Sequence, residues 1–334
     1  MPSEDSPTIY DVAELSGLSI STVSRVLNSP ERVTETTREK VLAAIDELGY
    51  VPKAEARARA LQSTRRIGVL TPFFTSPSFV QRLRGVAAAL ANSNYEMVIY
   101  PVDSLNRLRA YLAALPITSN LDCLIIMSLP FTEEDSKRLK DHNIQTVVIE
   151  FHQDYFSSVV IDDFAGGLMA ANYLIKKGHR RIAFIGDLNP PDYAIKPVLK
   201  RYNGLKHGLE EAGNLLPDEY VRSASFNQVP SRQQARQLLN LPEPPTAIFA
   251  ATDAQAIAVM KVTRELGLRI PNDLAVIGFD DLDMADFVGL TTISQSLDDS
   301  GRVATELLLA RIAEPNRPLQ MVHLPLKIVE RDTV

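Results

Sequence analysis

The stretch Thr8-Ile9-Tyr10-Asp11-Val12-Ala13-Glu14-Leu15-Ser16-Gly17-Leu18-Ser19-Ile20-Ser21-Thr22-Val23-Ser24-Arg25-Val26-Leu27-Asn28 decides how this chain is read. Thr8 is a suitable helix cap, and Asp11 lies near the positive end of the helix it opens. Val12 and Leu15 give that helix its apolar spacing, and Gly17 interrupts it. Ser19 then caps a second short helix, in which Val23, Val26 and Leu27 share an inward face. Two short helices around a glycine-containing turn give the outline of a helix-turn-helix.

The rest of the second helix sharpens the reading. Ser19, Ile20, Ser21, Thr22 and Arg25 lie off the apolar face and are short or basic. A helix end free of bulk can enter the major groove of DNA. There Arg25 can make a bidentate contact to guanine, Ile20 can touch a thymine methyl, and Ser21 can bond a base edge. Thr8, Tyr10, Ser24, Asn28 and Thr34 are candidates for phosphate contacts, and Ser19 and Arg32 complete the DNA-facing set. From pattern alone, three such helices can also cap an enzyme.

Downstream, Thr34 caps a third helix carrying Val41, Leu42, Ile45 and Leu48, which ends at Gly49. From Lys53 to Arg66 the chain reads KAEARARALQSTRR. This segment has high helix propensity, a positive net charge and almost no apolar face. It is marginal as a free helix and can order where its charge meets phosphate; a solvated linker is the other reading. From Ile67 onward, apolar runs alternate with helical stretches. The runs are Ile67–Leu70, Met97–Tyr100, Cys123–Met127, Thr146–Ile149, Ile182–Ile185, Ala247–Ala250 and Leu274–Gly278. Strands apolar on both faces, separated by helices, predict parallel α/β sheets.

These residues resemble the lactose-repressor (LacI/GalR) family. The likeness is carried by Thr8 to Ser19, Thr22 to Asn28, Thr37 to Val41 and Leu48 to Pro52. It continues in Gly178 to Gly186, Pro245 to Ala250, Leu266 to Pro271, Val276 to Asp281 and Leu290 to Ile293. The resemblance implies a headpiece at 1–52, a hinge at 53–66 and a core at 67–334 built like a periplasmic sugar-binding protein. In that core, subdomain N is expected at about 67–162 and 292–321, and subdomain C at about 163–291 and 322–334. The crossovers are expected near 161–163, 290–292 and 321–324.

Ligands of open α/β sheets sit beyond the carboxyl ends of the strands. That rule selects Phe73, Phe74, Ser128, Glu150, Thr252, Asp253, Asp280 and Asp281. The resemblance implies an effector arginine at Arg201, an aspartate at Asp280, aromatic contacts at Phe79 and Phe226, and Gln295 after a crossover. The expected ligand set is therefore Phe74, Phe79, Ser128, Glu150, Arg201, Phe226, Thr252, Asp280 and Gln295. Arginine with carboxylates suits vicinal hydroxyls, and the two phenylalanines can cover a sugar face, so a mono- or disaccharide is expected. Asp280 and Asp281 can instead cap the next turn, and Phe226 can be core. Some positions depart from the family pattern: Phe73 replaces an aspartate, Ser76 and Thr252 stand for asparagines, and Arg59 stands where a hinge leucine enters the minor groove, with Leu61 the nearest leucine. Arg57 and Arg59 are nevertheless counted with the DNA-binding set.

Composition bounds these readings. Forty-five per cent hydrophobic residues in 334 suffice for a core without covalent staples. The single cysteine, Cys123, lies in an apolar run and reads as a small buried hydrophobe. A net charge of −6 excludes a protein coated in positive charge but not one with a local basic element. No nucleotide-binding glycine fingerprint, nucleophile elbow or metal-ligand spacing is present, so neither enzyme nor cofactor is expected. The polar, acidic start lacks a secretory pattern, so a cytoplasmic, nucleoid-associated protein is expected. The expectation is a homodimeric repressor of palindromic operator DNA, gated by a small ligand. The rivals are a sugar-binding protein without DNA regulation and a non-catalytic Rossmann-like sensor.

Overall fold

The computed structural model describes residues 7–28, 32–50, 63–118, 120–225 and 228–334, in two units, Met1–Arg65 and Arg66–Val334. In the first unit, Asp11 accepts hydrogen bonds from the Thr8 amide and hydroxyl, both at 2.7 Å, and so pins the start of α1 (Ile9–Ser16). Gly17, at φ 66°, ends α1 in a left-handed turn that few side chains tolerate. Ser19 opens α2 (Ile20–Asn28), its hydroxyl accepting from the Thr22 amide at 3.2 Å. Thr34 caps α3 (Glu35–Leu48) in the same way, accepting from the Thr37 amide. Val12, Ala13, Val23, Val26, Val41 and Ala44 form the small core. Leu15 and Leu42, expected inside, are exposed; the close helix contacts are made by the smaller Ala13 and Ala44.

The second unit has two six-stranded sheets. The N-terminal sheet contains β1 (Arg66–Pro72), β2 (Glu96–Val102), β3 (Cys123–Met127), β4 (Gln145–Ile149), β5 (Ser157–Val160) and β11 (Met321–His323), ordered β11-β5-β4-β3-β1-β2. The C-terminal sheet contains β6 (Ile182–Gly186), β7 (Val221–Ser223), β8 (Ala247–Ala250), β9 (Ala275–Asp280), β10 (Thr291–Ser294) and β12 (Lys327–Val329), ordered β12-β10-β9-β8-β6-β7. All pairings are parallel except β10 with β12. Each sheet is buried on both faces, which is why its central strands are apolar throughout.

Helices α4 (Pro77–Leu90), α5 (Leu105–Ala114), α6 (Glu133–Asp141) and α12 (Leu297–Ala313) cover the N-terminal sheet. Helices α7 (Asp163–Lys176), α8 (Pro197–Glu211), α9 (Gln228–Leu239), α10 (Asp253–Glu265) and α11 (Asp283–Phe287) belong to the C-terminal subdomain. The chain changes sheet between β5 and α7, between β10 and α12, and between β11 and β12. The second and third changes therefore lie at 295–296 and 324–326, later than the expected 290–292 and 321–324. The register explains the shift: Thr291 to Ser294 pair with Ile277 to Asp280 before the chain leaves, and Met321 to His323 still pair with β5.

Two helix pairs repeat across the subdomains. In α4 and α12, a Cβ on Gly85 would lie 1.9 Å from the Asp298 carbonyl oxygen, and one on Gly301 would lie 2.0 Å from that of Arg82. In α7 and α8, a Cβ on Gly167 would lie 1.9 Å from the Arg201 carbonyl oxygen, and one on Gly204 would lie 2.0 Å from that of Phe164. Glycine lets the backbones touch. Gly167 thus lies inside a helix at a close packing point.

Candidate functional site

On the first unit, α2 turns Val23 and Val26 inward and leaves Ser19, Ile20, Ser21 and Arg25 exposed along its leading edge. Tyr10, Arg32 and Thr34 are also exposed, and Ser24 is half-buried. Thr8, Ser19 and Thr34 each open a helix, so their neighbourhoods present the amides and positive dipole ends that favour phosphate. Asn28 ends α2. Arg57, Arg59 and Leu61 lie outside the described residues, as does Phe226.

On the second unit, a cavity of about 300 Å³ lies where the two sheets present their carboxyl ends. Phe79, Ser128, Glu150, Arg201, Thr252, Asp280 and Gln295 all line it. Phe74 does not: it is 39% exposed, and Phe73 faces the cavity instead. The reason is local. Phe73 takes φ 46° directly after β1, and its ring packs edge-on to Phe79 at 6.2 Å.

Backbone strain marks the same strand ends. Phe73, Ser128, Glu150, Asp280 and Asp281 all have positive φ. Each such residue costs about 1–3 kcal/mol, which persists only where surrounding contacts hold it. All but Asp281 line the cavity; Asp281 instead accepts from Arg331 at 3.0 Å.

One hydrogen-bonded chain joins the two walls. The Ser128 hydroxyl donates to Glu150 Oε2, and Arg82 Nη2 donates to Glu150 Oε1. Arg82 Nη2 also donates to Gln295 Oε1 at 3.0 Å, and Gln295 Nε2 donates to Asp280 Oδ1 at 2.5 Å. Arg201 Nη1 lies 3.9 Å from Asp280 Oδ1. Arg201 itself donates from Nε to Asp163 and from Nη1 to the Ala251 carbonyl, both at 2.8 Å, and stacks 3.6 Å from the Phe279 ring centroid. Gln295, on the second crossing strand of chain, thus links the two walls at the floor of the cavity.

Arg82, Asp163 and Lys196 were not anticipated as site residues. Arg82 and Asp163 are almost wholly buried, and Lys196 is exposed at the rim. A signal for Arg82 exists in the sequence: Arg82-Leu83-Arg84-Gly85 repeats the spacing of Arg201-Tyr202-Asn203-Gly204, each a few residues inside a helix begun by proline. The loop before α8 also closes over the cleft. The Ile195 amide donates to the Ser128 carbonyl at 3.0 Å, and Tyr193 packs 5.9 Å from Phe73.

Burial sets the electrostatics. Desolvation pushes the Asp280 carboxyl up to about 8, against the opposing pull of Arg201 and the Gln295 hydrogen bond. Desolvation likewise raises Asp163, with Arg201 opposing. Asp253 is raised to about 6 by burial; it accepts from the Thr292 hydroxyl and the Leu282 amide and is structural, tying α10 to β10. Thr252 caps α10 by accepting from the Gln255 amide. Burial also pushes the Cys123 thiol far up, which leaves it unreactive. Among the described residues, no group of His, Cys, Asp or Glu is placed to hold a metal.

Residues 8–53 match the model of bacterial regulatory proteins, lacI family, and residues 171–334 match a periplasmic binding protein-like domain. The chain is 33% identical to the HTH-type transcriptional repressor PurR of Serratia proteamaculans over 98% of its length and 96% of the relative's. It is 34% identical to the ribose operon repressor of Escherichia coli K12 over 97% and 98%. Among solved structures, the lac repressor dimer bound to operator and the anti-inducer ONPF is similar with a TM-score of 0.78, at 26% identity and 98% coverage of both chains.

Proposed function

This chain belongs to the lacI family of bacterial regulatory proteins, and we propose that it acts as a homodimeric repressor whose hold on a palindromic operator is set by a small polyhydroxylated ligand in the cleft. It is a DNA-binding transcription regulator, as its relatives are. Its α2 reads the major groove, with Arg25 as the main base contact, Ile20 and Ser21 beside it, and Thr8, Tyr10, Ser24, Asn28 and Thr34 on phosphates. Arg57 and Arg59 add basic contacts from the hinge segment.

The single observation that carries the ligand reading is the buried chain from Ser128 through Glu150, Arg82, Gln295 and Asp280 to Arg201. It lines one cavity with polar groups from both subdomains. A ligand there touches both walls, so it binds their relative positions unequally, which is what coupling requires. The cavity is at the small end of the range for ligand sites, which favours a compact ligand. Ligand binding then shifts the core between two states and alters the spacing of the two headpieces across the dimer.

Among the described residues no helix is long and apolar enough to cross a membrane; a cytoplasmic, nucleoid-bound site of action belongs to this proposal. The test is a titration of palindromic DNA at low salt with and without candidate sugars. A ligand-dependent change in affinity supports the reading. Absence of any DNA binding, with or without ligand, overturns it.

A further inference from the structure

Resting on the ligand-gated reading above, we propose that the cleft selects an anionic polyol, a sugar-sized molecule carrying a carboxylate or a phosphate, held between Arg82, Arg201 and Lys196. The first support is the repeat between the subdomains. Helix α4 follows β1 and helix α8 follows β6, each begins with proline, and each carries Arg-x-x-Gly. Gly301 of α12 packs on the Arg82 carbonyl, and Gly167 of α7 packs on the Arg201 carbonyl. The same packing device therefore presents one guanidinium from each wall. Arg82 is the counterpart, in the N-terminal subdomain, of Arg201 in the other.

The second support is unspent hydrogen-bonding capacity. Arg82 uses Nε on Ser300 and Nη2 on Glu150 and Gln295; Nη1 has no partner among the described residues. Arg201 uses Nε on Asp163 and Nη1 on Ala251; Nη2 has none. Both side chains are only 3% exposed and both line the cavity. Both nitrogens open onto the cavity rather than being sealed off, so solvent meets them until a ligand takes its place, and an anionic oxygen is their best match. Two such forks facing one cavity ask for more acceptor charge than hydroxyl groups offer.

The third support is the balance of charge. Glu150 and Asp163 each neutralise one guanidinium. The buried Asp280 carboxyl, held up at about 8, contributes little negative charge at neutral pH. Lys196 then stands at the rim without an ion-pair partner among the described residues, at the start of α8, whose dipole also favours an anion. Phe73, instead of a carboxylate, also faces the cavity, with Phe79 beside it to cover the carbon skeleton. Ser128 and Thr252 line the cavity as well, their hydroxyls bonded to Glu150 and Gln255.

The test is calorimetry and thermal melting of the full chain with matched probes. One series is D-glucose, D-gluconate, D-glucuronate and D-glucose 6-phosphate; the other is D-ribose, D-ribonate and D-ribose 5-phosphate. At least one acidic member is expected to raise the melting temperature and to bind tenfold or more tighter than its neutral parent. Which acidic arm does so distinguishes carboxylate from phosphate. Lys196→Gln, an exposed change, is expected to weaken the acid about tenfold and leave its neutral parent alone. Arg82→Lys keeps a cation beside Glu150 but removes the free fork nitrogen, and is expected to weaken the acid as well. Neutral sugars that bind as tightly as their acids overturn the anionic class while leaving ligand gating intact, as does equal weakening of both by Lys196→Gln. No shift with any member also overturns it, and the operator titration then decides separately whether ligand gating stands.

Discussion

Asp280 ends β9 with φ 129°, almost fully buried, accepting from Gln295 and lying beside Arg201. Its folded-state pKa stands above the ordinary 3.8, at about 8, so folding takes up a proton. Its share of stability is therefore full below about pH 4 and is lost as the pH rises through about 8. Asp280→Asn mimics the protonated form, so urea unfolding should show the variant gaining on the parent between those limits. Parallel pH profiles would refute this. On the other unit, Arg25 is exposed on α2, where the proposed function has it contact a base. Arg25→Ala should cost about 1–3 kcal/mol of operator binding, roughly 5- to 150-fold, and relax preference at one base pair. A uniform loss across all sequences, measured by competition with mutated operators, would reassign Arg25 to phosphate. At this scale Arg201, Asp280 and Gln295 were legible because they follow strand ends or match a known pattern. Arg82 follows no strand end; only its Arg-x-x-Gly spacing marks it, and its partner Glu150 lies 68 residues away.

The helix pair α7 and α8 sets where Arg201 stands, through Gly167 and Gly204. A methyl group at either position meets a backbone carbonyl, which cannot move aside as a side chain can. Gly204→Ala should therefore destabilise the core by about 1–3 kcal/mol, at the upper end of that range, read by urea unfolding. It should also weaken ligand binding, since the helix carrying Arg201 must shift. An unchanged unfolding midpoint would mean that the helices separate freely. Among elements, the apolar central strands were readable from sequence because burial on both faces leaves a continuous run. β7, β11 and β12 were not, because three residues carry no period. β5, Ser157-Ser158-Val159-Val160, is fully buried yet half polar, and hydrogen bonds such as Ser157 with the Gln320 amide satisfy it.

Among the contacts that join the subdomains of the second unit are Gln295 in the floor, the Ile195 amide on the Ser128 carbonyl, Tyr193 against Phe73, and Arg84 at the surface. Arg84, on α4, makes paired hydrogen bonds to Asp283 of α11 and to Asp298 of α12. The side chain is 52% exposed, so solvent screens the pair and its worth is at most about 1 kcal/mol. Arg84→Ala should thus weaken ligand binding no more than about fivefold while leaving the fold intact, as calorimetry and circular dichroism can test. A loss of a hundredfold would make Arg84 a principal closure. The sequence by itself determined the helix-turn-helix, the alternation of buried strand and helix, and the placement of cavity-lining residues at strand ends. Those features are set by local periodicity, capping and burial, which neighbouring residues record. Only the tertiary structure decided which sheet β10 joins, that Phe73 rather than Phe74 faces the cavity, and that Arg82 meets Gln295 across 213 residues. Such pairings depend on how distant segments are brought together, and no local pattern carries them.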